Sequence, residues 1–240
     1  MQSKYFRDNN VEMLRKPFIT SSCYHILNRG VEKRDIFMDD ADRRRFLIYL
    51  TMFNSGVPII NFSKKIFRNK IEAPPRLERL VHIISYCLMK NHFHILLLQA
   101  KDGGIEQFMH KLGTGYTMFF NKRYERVGPL FQGVFKAVPV TNDVYLSYLT
   151  HYIHANPLDF SNPEWRQNIM LDSKLALQNI RTYPWSSFSH YMGKVTNPAI
   201  DDKMIIDLFS DKKSIVSSMD EWLSDMAAKN SLINSGVILE

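Results

Sequence analysis

Two histidines one residue apart, His92 and His94, flank a phenylalanine at the head of an apolar run, His92-Phe93-His94-Ile95-Leu96-Leu97-Leu98. On a β-strand alternate side chains share a face, so the two imidazoles point the same way, about 6–7 Å apart. Neutral imidazole is a common metal ligand, and a pair at that spacing can reach one ion. The plainer reading is two polar positions on a half-exposed strand. The four apolar residues that follow leave neither face polar, which suits a covered central strand. Histidines at the mouth of such a strand need partners. A second group lies further on, in a helix expected from Thr141 to Asn156. Leu146, Leu149 and Ile153 form its apolar stripe, and Tyr145, Tyr148, Tyr152 and Asn156 form a neighbouring one. Tyr152 and Asn156 are four apart and stack at the helix end. An Asn amide oxygen suits Mg²⁺ or Mn²⁺. Tyr145 and Tyr148 read as aromatics packing on the sheet, and Tyr116 as packing or a nucleic-acid contact.

These groups need a scaffold to bring them together. Phe18 to Leu27 is rich in β-branched and aromatic residues and reads as a strand ending at the turn-prone Asn28-Arg29-Gly30. Asp39-Asp40 opens a helix with its acidic residues at the positive end. Residues 54–79 read as a basic loop broken by Ala73-Pro74-Pro75. Leu80–Leu88 and Phe93–Leu98 are strands joined by the short Met89-Lys90-Asn91 link, an antiparallel hairpin. Ile105–Arg123 reads as a helix and Gly133–Val140 as a strand. The helix after it must end at Asn156, because Pro157 disfavours helical geometry in the preceding residue. The order β-α-β-β-α-β-α is that of an α+β, ferredoxin-like (RRM-like) antiparallel sheet with helices on one face and one extra helix. Residues 1–195 are expected to form the main domain. Residues 196–240 form a small helical extension, with two short amphipathic helices between Met204 and Ala228.

The chain has 240 residues, 45% of them hydrophobic, and a net charge of +7. That excess of positive charge favours a polyanionic partner such as nucleic acid. It is concentrated in the first 140 residues, while the tail is acidic. No apolar run is long enough to span a membrane, and the polar start Met1–Asn10 lacks a signal peptide's apolar core. A cytoplasmic protein without membrane contact is expected. Cys23 and Cys87 sit apart in apolar runs and read as buried free thiols.

Several segments in order resemble the HUH endonucleases, and within them the REP-associated tyrosine transposases and related single-tyrosine transposases of the insertion-sequence 200-like family. The segments are Tyr24–Gly30, Asp39–Phe46, Leu88–His94, Gly128–Lys136, Tyr152–Pro157 and Tyr183–Ser187, spread over roughly residues 18–192. The sequence departs from the family in the long stretch 54–79 and in Lys90, where many members carry Pro. The resemblance implies that Tyr152 is the nucleophile and that His92, His94 and Asn156 hold the divalent ion. It also implies a single-stranded DNA substrate with a hairpin, cleaved and rejoined through a 5′-phosphotyrosine intermediate. Arg29, Arg43, Arg44, Arg45, Lys64, Lys65, Lys122 and Arg123 are candidate phosphate contacts, and Phe131 is a candidate base-stacking residue. His25, His82, His110, His151 and His154 are weaker candidates; His151 and His154 lie near the site on other helix faces. Rival readings are an HUH replication initiator or relaxase, a non-catalytic RRM-like binding module, and a hydrolase using water as nucleophile. Monomer and homodimer, with Tyr152 acting in cis or in trans, are both open.

Overall fold

A computed structural model describes residues 17–56, 75–167, 172–203, 209 and 211–234. Four strands, β1 (Cys23–Arg29), β2 (Val81–Leu88), β3 (His92–Gln99) and β4 (Lys136–Pro139), form one antiparallel sheet in the order β2-β3-β1-β4. Helices α1 (Asp40–Met52) and α2 (Gly104–Arg123) follow β1 and β3. Helix α3 (Asp143–Ala155) follows β4, and α4 (Ser173–Thr182), α5 (Phe188–Tyr191) and α6 (Lys212–Asn234) follow among the described residues. The expected ferredoxin-like order of strands and helices is therefore present.

The helices begin where their caps allow. The Asp39 carboxylate accepts from the backbone N–H of Asp42, and the Asn142 amide oxygen accepts from that of Tyr145, each filling an otherwise orphaned donor. Helix α3 stops at its C-cap Asn156, ahead of Pro157, and the chain runs on as a 3-10 turn, Asn156–Phe160. A second 3-10 turn, Pro163–Gln167, follows.

The strands depart from expectation at their ends. β1 starts later, because the chain turns at Ser21 with a positive φ of 65°. It also runs further: Asn28 and Arg29 are paired with Phe93 and His92 on β3. β4 is much shorter than Gly133–Val140. Phe131 makes an isolated bridge to Gly30, and regular pairing resumes only at Lys136. Pro139 closes it on the sheet edge, where its missing N–H costs no ladder bond. At Gly30 a Cβ would lie 2.2 Å from the Arg34 carbonyl oxygen, so the turn after β1 has room only for glycine.

One face of the sheet packs on α1 and α2. Phe93 meets Phe46 at 5.0 Å between ring centroids, and Phe46 meets Tyr116 at 5.0 Å. Tyr116 is fully buried and its hydroxyl donates to the Ile36 carbonyl at 2.6 Å, so the packing reading holds. Asp42, buried on α1, accepts from Arg123 at 2.6 Å and from the Tyr124 hydroxyl at 2.8 Å, tying α1 to the end of α2. The opposite face carries α3. Behind α3 lies α6, whose Ile215, Met219 and Leu223 are buried in the same core. Trp222 stacks on His151 at 6.0 Å. Between Met204 and Ala228 the described residues include α6, capped by Asp211, and a separate helical residue, Phe209; residues 204–208 and 210, where the first of the two expected helices falls, lie outside the described part. The helix α4 was not foreseen. Cys23 and Cys87 are free thiols, Cys87 buried and Cys23 half-buried.

Candidate active site

His92 and His94 share the sheet face that α3 covers. Their rings lie 5.1 Å apart, nearly perpendicular. The Tyr152 ring, descending from α3, meets the His94 ring edge-on at 6.3 Å. Strand alternation supplies the first pair, and the last turns of a capped helix supply the tyrosine.

The imidazoles are oriented from behind. The Asn91 side-chain N–H donates to the Lys33 carbonyl at 3.1 Å, which turns its amide oxygen toward His92 Nδ1, 2.7 Å away. An oxygen there accepts only, so His92 Nδ1 carries the proton and Nε2 keeps its lone pair. His94 Nδ1 is engaged by His25 Nε2 at 2.9 Å, the two rings stacked at 5.1 Å, and its Nε2 is again the nitrogen left over. Support of one ring nitrogen by a neighbour is what fixes a ligating histidine's orientation. Burial lowers the pKa of all three: His92 and His25 to about 4, and His94 well below the ordinary value, with the nearby Arg29 and Arg166 charges adding to the effect on His92 and His94. All three are thus neutral near pH 7, the form that binds metal.

Asn156 is fully buried. Its side-chain N–H groups donate to the Tyr152 carbonyl at 2.9 Å and the Ile153 carbonyl at 3.2 Å, so its oxygen faces outward. That oxygen accepts from Arg166 Nη2 at 2.8 Å. The same guanidinium donates through Nε to the Tyr152 hydroxyl at 3.2 Å and through Nη1 to Asp159. Trp165, beneath it at 4.6 Å, donates to Asp159 at 2.7 Å. The histidine pair fits a divalent ion by its donor chemistry. Asn156 fits with one proviso: its oxygen already serves Arg166, and only its second lone pair is open to a metal.

The remaining candidates divide. Arg29 is exposed at the end of β1, in register with His92. Arg44 and Lys122 are exposed. Arg43 pairs with Asp40 at 3.4 Å and lies over the Trp185 ring at 5.7 Å. Arg45 lies over Phe119 at 4.9 Å, and Arg123 pairs with Asp39 and Asp42. Phe131 meets Phe93 edge-on at 5.9 Å and is half-buried in the core. Lys64 and Lys65 lie outside the described residues. His151 and His154 do not reach the histidine pair: His151 bonds Ser147 and Ser218, and His154 bonds Ser187. Two partners escaped the sequence reading. His25, ranked among the weaker histidines, supports His94, and Arg166 gave no signal of its own.

A pH prediction follows from the buried imidazoles. His25, lowered to about 4 by burial, binds a proton in the unfolded chain near 6.5 but not in the folded one. Stability from its neutral burial is full above 6.5 and drains as pH falls toward 4, by on the order of 3 kcal/mol. His154, lowered to about 3, adds to the loss over the same range. Thermal melts between pH 7 and pH 4 are expected to show a falling midpoint, and His154→Gln a shallower fall. Equal slopes in the two proteins would remove His154 from the account.

Among the described residues no helix is long and apolar enough to cross a membrane. A search of curated protein sequences finds no match. Among solved structures the chain is similar to one described as "Structure of the REP associates tyrosine transposase bound to a REP hairpin", at 12% identity and a TM-score of 0.44, covering 75% of this chain and 84% of that one. The family model described as "Transposase IS200 like" matches residues 19–156, more than half of the chain and a span that runs from the approach to β1 through both histidines and Tyr152 to Asn156. The chain therefore belongs to the IS200-like transposase family.

Proposed function

We propose that this transposase cleaves and rejoins single-stranded DNA at hairpin-flanked sites, with Tyr152 as nucleophile and a Mg²⁺ or Mn²⁺ ion held by His92, His94 and Asn156. The observation that carries the reading is the approach of the Tyr152 ring to His94, one of two adjacent histidines whose Nδ1 atoms are both engaged from behind. A divalent ion bound there supplies Lewis-acid charge to a phosphate oxygen. Tyr152 Oη forms a bond to phosphorus and the P–O3′ bond breaks. The phenolic proton ends on the departing 3′ oxygen, which leaves a 5′-phosphotyrosine and a free 3′-OH. The retained phosphodiester allows a later 3′-OH to reverse the step and join a new strand without ATP. Arg29, Arg44 and Lys122 are exposed and basic, which suits contacts with phosphates.

The test is to incubate the full chain and Mn²⁺ with a pool of single-stranded DNA hairpins carrying randomised flanks, then separate products under denaturing conditions. A covalent protein–DNA species is expected, and peptide mapping is expected to place the nucleotide remnant on Tyr152. Cleaved DNA with no covalent species would replace this reading with hydrolysis by water.

A further inference from the structure

Arg166 reaches the site from outside the family's matched span, on the 3-10 turn Pro163–Gln167. Each of its three nitrogens has a different acceptor: Nε the Tyr152 hydroxyl at 3.2 Å, Nη2 the Asn156 oxygen at 2.8 Å, Nη1 the Asp159 carboxylate. Its plane rests on Trp165 at 4.6 Å and lies 5.7 Å from the Tyr152 ring centroid. A guanidinium carries five N–H groups, so two remain after these bonds. This is a cation built into place, buried along one side and held by three partners and an aromatic floor.

We infer that Arg166 is a further catalytic residue, one that binds the scissile phosphate and holds the nucleophile's oxygen toward it; this rests on the reading of Tyr152 as nucleophile. For attack, phosphorus must come within about 3–3.5 Å of Tyr152 Oη. A donor already 3.2 Å from that oxygen is then beside the phosphate's non-bridging oxygens, with its two spare N–H groups available. Because Nε donates to Oη, the phenol's own hydrogen must point elsewhere, and one oxygen lone pair is fixed. Planar, forked donors suit a phosphate better than an ammonium does. After cleavage the phosphate is bonded to Tyr152 Oη, and the same N–H groups hold it for the reverse step. Atoms balance as in the cleavage step above, and Arg166 keeps its protons throughout. Asp159 and Trp165 act through Arg166 and are positioning residues.

The test uses the hairpin selected from the randomised pool, prepared with an ordinary phosphate or with an uncharged methylphosphonate at the cleaved position, at fixed Mn²⁺. Wild type, Arg166→Gln, Arg166→Lys and Asp159→Asn are compared by rate of adduct formation, with thermal melts to confirm folding. Arg166→Gln is expected to slow the ordinary substrate about a hundredfold, the effect of losing one preorganised donor, and the methylphosphonate only a few fold. Arg166→Lys is expected to recover part of the rate. Asp159→Asn, which leaves the guanidinium and its other two contacts, is expected to lose about tenfold or less. If Arg166→Gln slows both substrates alike, or if Asp159→Asn matches it, Arg166 is only a structural partner and the inference is overturned. If wild type forms no adduct on Tyr152, the nucleophile assignment fails first and the inference falls with it.

Discussion

Tyr152→Phe is expected to reduce the covalent DNA adduct by at least about a thousandfold, to below detection on a denaturing gel, while binding of the same hairpin stays within a few fold of wild type. The substitution removes one oxygen and leaves the ring where it is, stacked 6.1 Å from Tyr148 and tilted against Trp165 at 5.6 Å. Its structural cost is one hydrogen bond from the charged Arg166, about 1.5–3 kcal/mol at most. The guanidinium keeps Asp159 and Asn156, so the thermal midpoint is expected to move by a few degrees at most. Loss of chemistry with retained folding and binding identifies the nucleophile. An adduct that survives in Tyr152→Phe moves the nucleophile to another residue.

The second large effect concerns the two histidines, which do not contribute alike. His92 is half-buried and leans on its sequence neighbour Asn91. His94 is 5% exposed and bonded to buried His25. His92→Ala is therefore expected to lose metal-dependent cleavage by about a hundredfold or more with little loss of stability. His94→Ala is expected to lose the same activity and also about 1–3 kcal/mol, because His25 Nε2 is left without its partner in the core. Thermal melts with and without Mn²⁺ separate the two contributions. An ion that binds only the folded state stabilises it, so wild type is expected to melt higher with Mn²⁺, and both variants are expected to show no such rise. A full Mn²⁺-induced rise in His92→Ala would place the ion elsewhere.

The sequence reveals this site wherever a local period places the residues. His92 and His94 are legible because a strand repeats every two residues. Tyr152 and Asn156 are legible because a helix brings positions four apart together, and Pro157 marks where the helix stops. Arg166 obeys neither period. It returns to Tyr152 only because two 3-10 turns fold residues 156–167 back under the end of α3, and nothing in Trp165-Arg166 itself announces that path. The strand ends fail for a related reason. Phe18–Ser22 has the composition of a strand but turns at Ser21, and Asn28-Arg29 has the composition of a turn but finds partners on β3. Pairing is decided by the neighbouring strand, which composition does not contain. The second of the two helices expected after Met204 is legible in the four-residue spacing of buried Ile215, Met219 and Leu223 on α6.

Phe93, lying between the two histidines, has a bearing on how the site can decay by mutation. It is clamped between Phe46 at 5.0 Å and Phe131 at 5.9 Å on the far side of the sheet. A slip of one residue in β3 would turn that ring toward α3 and both histidines into the aromatic layer. The aim of the imidazoles is thus set by a side chain that takes no part in chemistry. Copies that lose His92 would keep the sheet, the helices and the basic surface, and would persist as folded proteins. Copies that lose Phe93 would forfeit about 3–5 kcal/mol of the fold's stability. Among diverging descendants of this chain, silent transposases with an intact aromatic layer should outnumber active ones that have lost it.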